Sequence, residues 1–180
     1  MKYIMVDTES DGPIPGDYSM ISFGAVLVEP DQYKQNPNMR HKSFYGKLKP
    51  ISDKWIPEAL AVSGHSREET LEFEDPTKVM KDFADWLMLV CKGDRPVFIA
   101  DNNGFDWQFI NWYFHHFIGS NPFGYSSQNL GSIYKGLVKT NKRNFKKLRK
   151  TKHSHNPVYD ALGNVEAFCY MINVMGYEIQ

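Results

Sequence analysis

Asp7 and Glu9 flank Thr8 at the end of a short apolar run, Tyr3-Ile4-Met5-Val6. The run reads as a buried strand. Residues two apart on a strand point to one face, so both carboxylates address the same spot. Much later, Asp106 closes the segment Phe98 to Asp106, an apolar strand that breaks into a polar, glycine-containing turn and enters a helix-like stretch. Asp160, five positions after His155, opens another helix-like stretch that runs to Val174. Carboxylates gathered at strand and helix ends repel one another unless positive charge sits between them. A pair of divalent cations is the simplest source of that charge, and an all-oxygen ligand set favours Mg²⁺ or Mn²⁺ over Zn²⁺. Two such ions about 3.5–4 Å apart suit phosphodiester hydrolysis, because they activate water and stabilise charge on the phosphate and the leaving oxygen. An imidazole titrates near neutral pH and can take the proton of an attacking water. His153 and His155 both qualify, and chemistry alone leaves the choice open.

Each piece taken singly has a plain structural reading. An Asp-x-Glu after a strand is a common loop start, Asp106 suits a helix N-cap, and a histidine in a basic stretch is commonly a surface residue. Independent caps, however, have no reason to fall in the order strand-Asp-x-Glu, Asn-x-x-Phe-Asp, His-x-x-x-x-Asp, each at an element boundary.

Asp7-Thr8-Glu9, the stretch Asn102 to Asp106, and His155-Asn156-Pro157-Val158-Tyr159-Asp160 resemble the three motifs of the DEDD superfamily of 3′–5′ exonucleases. The branch is the one marked by a histidine, which holds oligoribonuclease, ribonuclease T and the proofreading subunit of bacterial replicative polymerase. The resemblance runs from Asp7 to about Phe168, with Ile21 to Val26 similar to the family's second strand and Ala59 to His65 similar to the segment before its first long helix. It implies an α/β fold of the ribonuclease H-like kind, a mixed β-sheet flanked by α-helices. It also implies that Asp7, Glu9 and Asp160 hold a first divalent ion, that Asp7 bridges to a second, and that Asp106 supports the second largely through water. By the same resemblance His155 is the general base. Thr8 through its backbone, Asn102 and the Leu60 to Val62 segment are the implied substrate contacts. One departure stands out: many members carry His before the motif asparagine, where this chain has Asp101.

The elements that must carry these residues can be read in outline. Strands are expected near Lys2 to Val6, Met20 to Val28, Lys42 to Leu48 and Pro96 to Ala100. Helices are expected near Thr77 to Val90, Trp107 to Phe117, Leu130 to Val138 and Asp160 to Met175. Pro157 disfavours helical geometry at Asn156, which leaves His155 on a loop before the last helix. Ser10 to Asp17 and Glu29 to Asn38 read as loops from their Pro, Gly, Asn and Asp content. The aromatic cluster between Trp107 and Phe117 is too dense for one helix face, which points to a buried helix with an extra contact surface. His115 and His116 have no suitably spaced cysteine or acid with which to bind zinc.

Composition bounds the answer without suggesting it. A chain of 180 residues with 42% apolar and 23% charged residues is that of an ordinary globule, expected to form a single exonuclease domain over 1–180. Two cysteines, Cys91 and Cys169, give no disulfide framework. With no apolar h-region after Met1-Lys2 and no membrane-spanning stretch, the expected location is the cytoplasm. The zero net charge conceals an uneven distribution: Lys139 to His153 holds eight Lys or Arg and no acid. Lys146 and Lys147 in that run are candidate substrate contacts that draw a phosphate backbone toward the cleft. The competing view is a solvated linker, although Phe145 and Leu148 suggest that one side is packed.

The function expected from these readings is metal-dependent removal of nucleoside 5′-monophosphates from the 3′ end of single-stranded RNA or DNA, with RNA favoured. The other class is a non-catalytic nucleic-acid-binding or interaction module of the same fold, which has no evident need for a costly carboxylate cluster. A haloacid-dehalogenase-type phosphatase fits less well, since it wants Asp-x-Asp where this chain has Asp7-Thr8-Glu9. A homodimer is compatible with the sequence.

Overall fold

A computed structural model describes residues 1–179. The central strand is β1 (Lys2–Ser10), with β2 (Met20–Leu27) antiparallel on one side and β4 (Pro96–Ala100) parallel on the other. β3 (Ser43–Lys47) extends the sheet antiparallel beyond β2, and β5 (Ser127–Asn129) extends it parallel beyond β4, giving the order β3-β2-β1-β4-β5. The helices are α1 (Pro30–Gln35), α2 (Pro57–Val62), α3 (Arg67–Leu71), α4 (Pro76–Cys91), α5 (Asn103–Tyr113), α6 (Leu130–Leu137) and α7 (Pro157–Asn173). The result is the expected α/β architecture, a mixed sheet with helices on both faces. No helix among the described residues is long and apolar enough to cross a membrane.

Alternation along β1 divides the core in two. Ile4 and Val6 join Phe23, Phe83, Phe98, Phe109 and Phe114 in a cluster covered by α4 and α5. Tyr3 and Met5 join Ile99, Leu130, Val165, Phe168 and Met171 under α6 and α7. Continuing the alternation, Asp7 and Glu9 lie on the α7 side and Thr8 on the α5 side.

Local chemistry fixes the helix starts. Asp75 caps α4, accepting from the Lys78 amide at 3.2 Å with Pro76 at the first position. Asn156 caps α7 with its side chain accepting from the Val158 and Tyr159 amides, again ahead of a proline. α7 therefore starts at Pro157 rather than at Asp160, and α5 starts at Asn103 rather than at Trp107. Both motif aspartates sit inside the first helical turn, one turn later than the sequence suggested; at α7 the Asn156 cap and Pro157 set the boundary. Glu29 to Asn38, expected to be a loop, contains α1, which opens on Pro30 and packs against α7. The short α2, α3 and β5 carried no periodic signal.

The aromatic stretch resolves as two structures rather than one. α5 ends at Tyr113 and passes into a π-helical turn, Phe114–Ile118. The change of pitch keeps Phe109, Ile110, Tyr113 and Phe114 buried and leaves Trp112 stacked on His116 with ring centroids 4.2 Å apart.

One glycine decides how closely α7 approaches. Gly24 on β2 pairs with Asp7, and a Cβ there would lie 2.4 Å from the backbone of Pro157 and Val158. This contact sets the start of α7, and with it Asp160, against the end of β1. Gly24→Ala is expected to destabilise the protein by about 1–3 kcal/mol through overpacking. An unchanged urea midpoint would contradict the contact.

Candidate active site

Three carboxylates meet where β1 emerges beside α7. One ligand oxygen from each of Asp7, Glu9 and Asp160 lies within 4.8 Å of the other two. Asp7 and Glu9 arrive from β1 and Asp160 from the first turn of α7. Asp106 stands outside this triplet, on the opposite face in the first turn of α5. There its Oδ1 accepts from the Thr8 amide at 3.0 Å and from the Thr8 hydroxyl at 2.9 Å. Thr8 was expected to offer its backbone to substrate. With its N–H and hydroxyl both spent on Asp106, it instead holds a motif carboxylate in place.

Burial among like charges raises Asp7, Glu9 and Asp106. The Asp7 carboxyl is pushed well above the ordinary range by burial first, then by Asp106, Glu9 and Asp160, with Arg149 opposing. Glu9 is raised to about 7 by burial and by Asp160. Asp106 is also raised to about 7, burial outweighing the two hydrogen bonds from Thr8.

Asp160 is the most enclosed of the set, 2% exposed. Its Oδ1 accepts from the Ser154 amide at 2.9 Å. Its Oδ2 lies 3.0 Å from His153 Nδ1, yet no donor is aligned on it, so this buried oxygen remains without a hydrogen bond. A buried acceptor left over among three converging carboxylates is the donor set of a hard divalent cation, and the residues fit the metals that the motifs imply.

His155 and His153 share the loop before α7 with their rings 4.4 Å apart. His155 is exposed and adopts φ 57°, followed by the extended Asn156 cap. The loop position matches the expectation from Pro157. It is His153, however, that reaches the carboxylate cluster.

The remaining sequence candidates lie around this centre. Asn102 is exposed at the start of α5, with its side chain unused as a cap. Val62 is 45% exposed at the end of α2 while Leu60 is buried. Lys146 and Lys147 project from a 3₁₀ turn, Lys146–Leu148, behind the buried Phe145. Arg149, a member of the basic run expected to guide the phosphate backbone, faces inward instead. Arg149 donates to Asp101 at 2.9 Å and to Asn164, and stacks its guanidinium over Phe145. Asp101, the departure from the family pattern, is thus the partner of the cation that opposes charge build-up at Asp7. Also unforeseen was the buried pair of Asp11 with Arg67, 2.9 Å, which ties the first residue of α3 to the end of β1.

No protein-family model matches the chain. The nuclease domain of 3′hExo, a DEDDh family member solved with rAMP bound, superposes with a TM-score of 0.76 at 15% identity, covering 99% of this chain and 94% of that one. Cell-death related nuclease 4 (CRN-4) gives 0.75 at 18% identity, with 97% of this chain covered and the chain spanning 64% of that protein. The 3′–5′ DNA exonuclease Cap18 of Escherichia coli is 43% identical over 138 residues, 75% of this chain and 68% of Cap18. The chain belongs to the DEDDh family of 3′–5′ exonucleases. The expected fold and enzyme class are therefore those of the protein, and in this DEDDh exonuclease the three motif segments meet at one sheet end.

The raised acids give the metal-free enzyme a defined pH response. Glu9 and Asp106 hold protons in the folded state up to about 7, whereas unfolded carboxylates release them near ~4. Between those values the folded state binds more protons, so stability is greatest at the acid end and falls as pH rises. In chelator, the melting temperature is expected to drop from about pH 4.5 to about pH 7, and Mg²⁺ is expected to abolish most of the drop. A melting temperature that rises across this window would refute the arrangement.

Proposed function

We propose that this DEDDh exonuclease releases nucleoside 5′-monophosphates from the 3′ end of single-stranded DNA, with Asp7, Glu9 and Asp160 holding one divalent ion, Asp7 and Asp106 a second, and His155 acting as general base. The observation that carries the reading is the convergence of Asp7, Glu9 and Asp160 around a buried, unpaired oxygen of Asp160. The 3′hExo structure, with a mononucleotide bound, supports the product class. The lean toward RNA rested on no residue that reads a 2′-hydroxyl, and the 43% identical relative acts on DNA, which moves the reading to DNA.

When bound, Mg²⁺ or Mn²⁺ ions supply a water nucleophile at neutral pH and neutralise charge on the phosphate and the leaving 3′-oxygen. The protein's own groups do the rest. Thr8 orients Asp106 with two hydrogen bonds. His155 accepts the proton of the attacking water, and its exposed loop position allows it to turn over the scissile phosphate. Exposed Val62 wedges against the terminal base and Asn102 meets its nucleotide. Lys146 and Lys147 draw the backbone in without reading sequence.

Activity on a 5′-labelled single strand is expected to vanish in chelator and return with Mg²⁺ or Mn²⁺. Asp7→Asn should reduce turnover by orders of magnitude while raising the melting temperature of the metal-free protein, since it relieves repulsion. Near-normal turnover in Asp7→Asn would sink the site. Matched DNA and RNA strands should be degraded with DNA faster; an RNA preference would return the substrate assignment to RNA.

The histidines separate in paired variants. A positioned base contributes about 10²–10⁴-fold, so His155→Ala should lower the maximal rate by that order with KM little altered. His153→Ala should cost far less, through its contact with Asp160. A larger loss at His153 than at His155 would transfer the role of base to His153.

A further inference from the structure

Residues 149–155 form a strap laid antiparallel along α7, and three positions of that helix, spaced three apart, receive it. At Asp160 the carboxylate accepts from the Ser154 amide at 2.9 Å. At Gly163 the strap touches the helix so closely that a Cβ would lie 2.9 Å from the Thr151 carbonyl oxygen and 3.3 Å from Arg149 Cδ. At Glu166 one carboxylate oxygen accepts from the amides of both Lys150 and Thr151, each at 2.7 Å, and the other accepts from the Thr151 hydroxyl at 3.0 Å. Arg149 crosses Gly163 to reach Asp101 and Asn164.

Glu166 is 9% exposed, and among the described residues no Lys or Arg side chain forms an ion pair with it. A carboxylate removed from water is costly unless its lone pairs are filled. Here they are filled by the strap's own backbone, in short charge-assisted bonds. Sliding the strap by one residue would take those amides away and leave the charge unmet, so Glu166 fixes the register of the strap. Four residues beyond Thr151 lies His155, between the Ser154–Asp160 hydrogen bond and the Asn156 cap of α7. The segment that carries the histidine is therefore pinned at both ends.

We infer that Glu166 is a positioning residue for nucleotide removal, acting through His155 by holding the strap in register on α7. This rests on His155 as the base. Glu166 bonds to the strap and not to the carboxylate triplet, so its effect belongs in the catalytic step and not in binding.

The test measures kcat, KM and melting temperature on a 5′-labelled single-stranded oligodeoxynucleotide with saturating Mg²⁺. The variants are Glu166→Ala, Glu166→Gln and Gly163→Ala, with Glu166→Ala also made in the His155→Ala background. A misplacement of about 1 Å can cost about 10²-fold, so Glu166→Ala is expected to lower kcat about ten- to a hundredfold with KM nearly constant. Glu166→Gln should recover most of the loss, because its carbonyl still accepts from the two amides and its NH₂ can donate to the Thr151 hydroxyl. Gly163→Ala lifts the strap without touching Glu166, and alanine is the better helix former. It should lower kcat at nearly constant KM with at most the modest loss of melting temperature that overpacking brings, and it decides the matter if Glu166→Ala fails to fold. In the His155→Ala background, Glu166→Ala should cost nothing further. Loss of the same size in both backgrounds, or native kcat in Gly163→Ala, would overturn the inference while leaving His155 as base. Full turnover in His155→Ala alone would remove the base reading and this inference with it.

Discussion

Burying several carboxylates together at the end of one strand is the constraint on which the rest of the structure depends. Asp7, Glu9 and Asp160 converge within 4.8 Å, and Asp106 comes close enough to be the largest single charge acting on Asp7. Such a cluster opposes folding in the absence of cations, because desolvation and mutual repulsion act in the same direction. The fold tolerates it by supplying donors only at its edges: Thr8 to Asp106, the Ser154 amide to Asp160, and Arg149 at a distance. Among the described residues the one side chain that reaches Asp160 Oδ2 is His153, 3.0 Å away and not aligned to donate, so that oxygen stays open to a cation.

The sheet makes the convergence geometrically available. Alternation along β1 sends Asp7 and Glu9 toward α7 and Thr8 toward α5, so one strand addresses both helices that carry the remaining acids. Gly24, opposite Asp7, removes the side chain that would hold α7 away. Each of α5 and α7 brings its aspartate in the first turn, where the helix dipole favours negative charge. Arg149, itself held by Asp101, opposes the build-up of charge at Asp7.

The basic run thereby divides into two parts with different physics. Lys146 and Lys147 are exposed and act through solvent at long range, subject to screening. Arg149, Lys150 and Thr151 are anchored through side chain or backbone to α7 and the end of β4, and they set where the histidine loop begins. The view of a solvated linker holds for the stretch around Asn141 to Asn144, which is exposed, and fails from Phe145 onward.

The sequence alone carried the motif acids, the strands from Lys2, Met20, Ser43 and Pro96, the four longer helices, and the loop setting of His155. Those are local properties: an apolar run, a helical period, a proline that bars the preceding residue from helical geometry. β5 escaped because Ser127-Gln128-Asn129 has neither apolar character nor alternation and is a strand only by pairing with β4. α1 escaped because its Pro and Asn content reads as a loop when its packing on α7 is unseen. Tertiary structure also decided that Thr8 serves Asp106, that His153 contacts Asp160, and that Glu166 holds the strap. Each of these joins residues whose relation is set by the path of the chain through space, so the types were legible in the sequence and the partnerships were not.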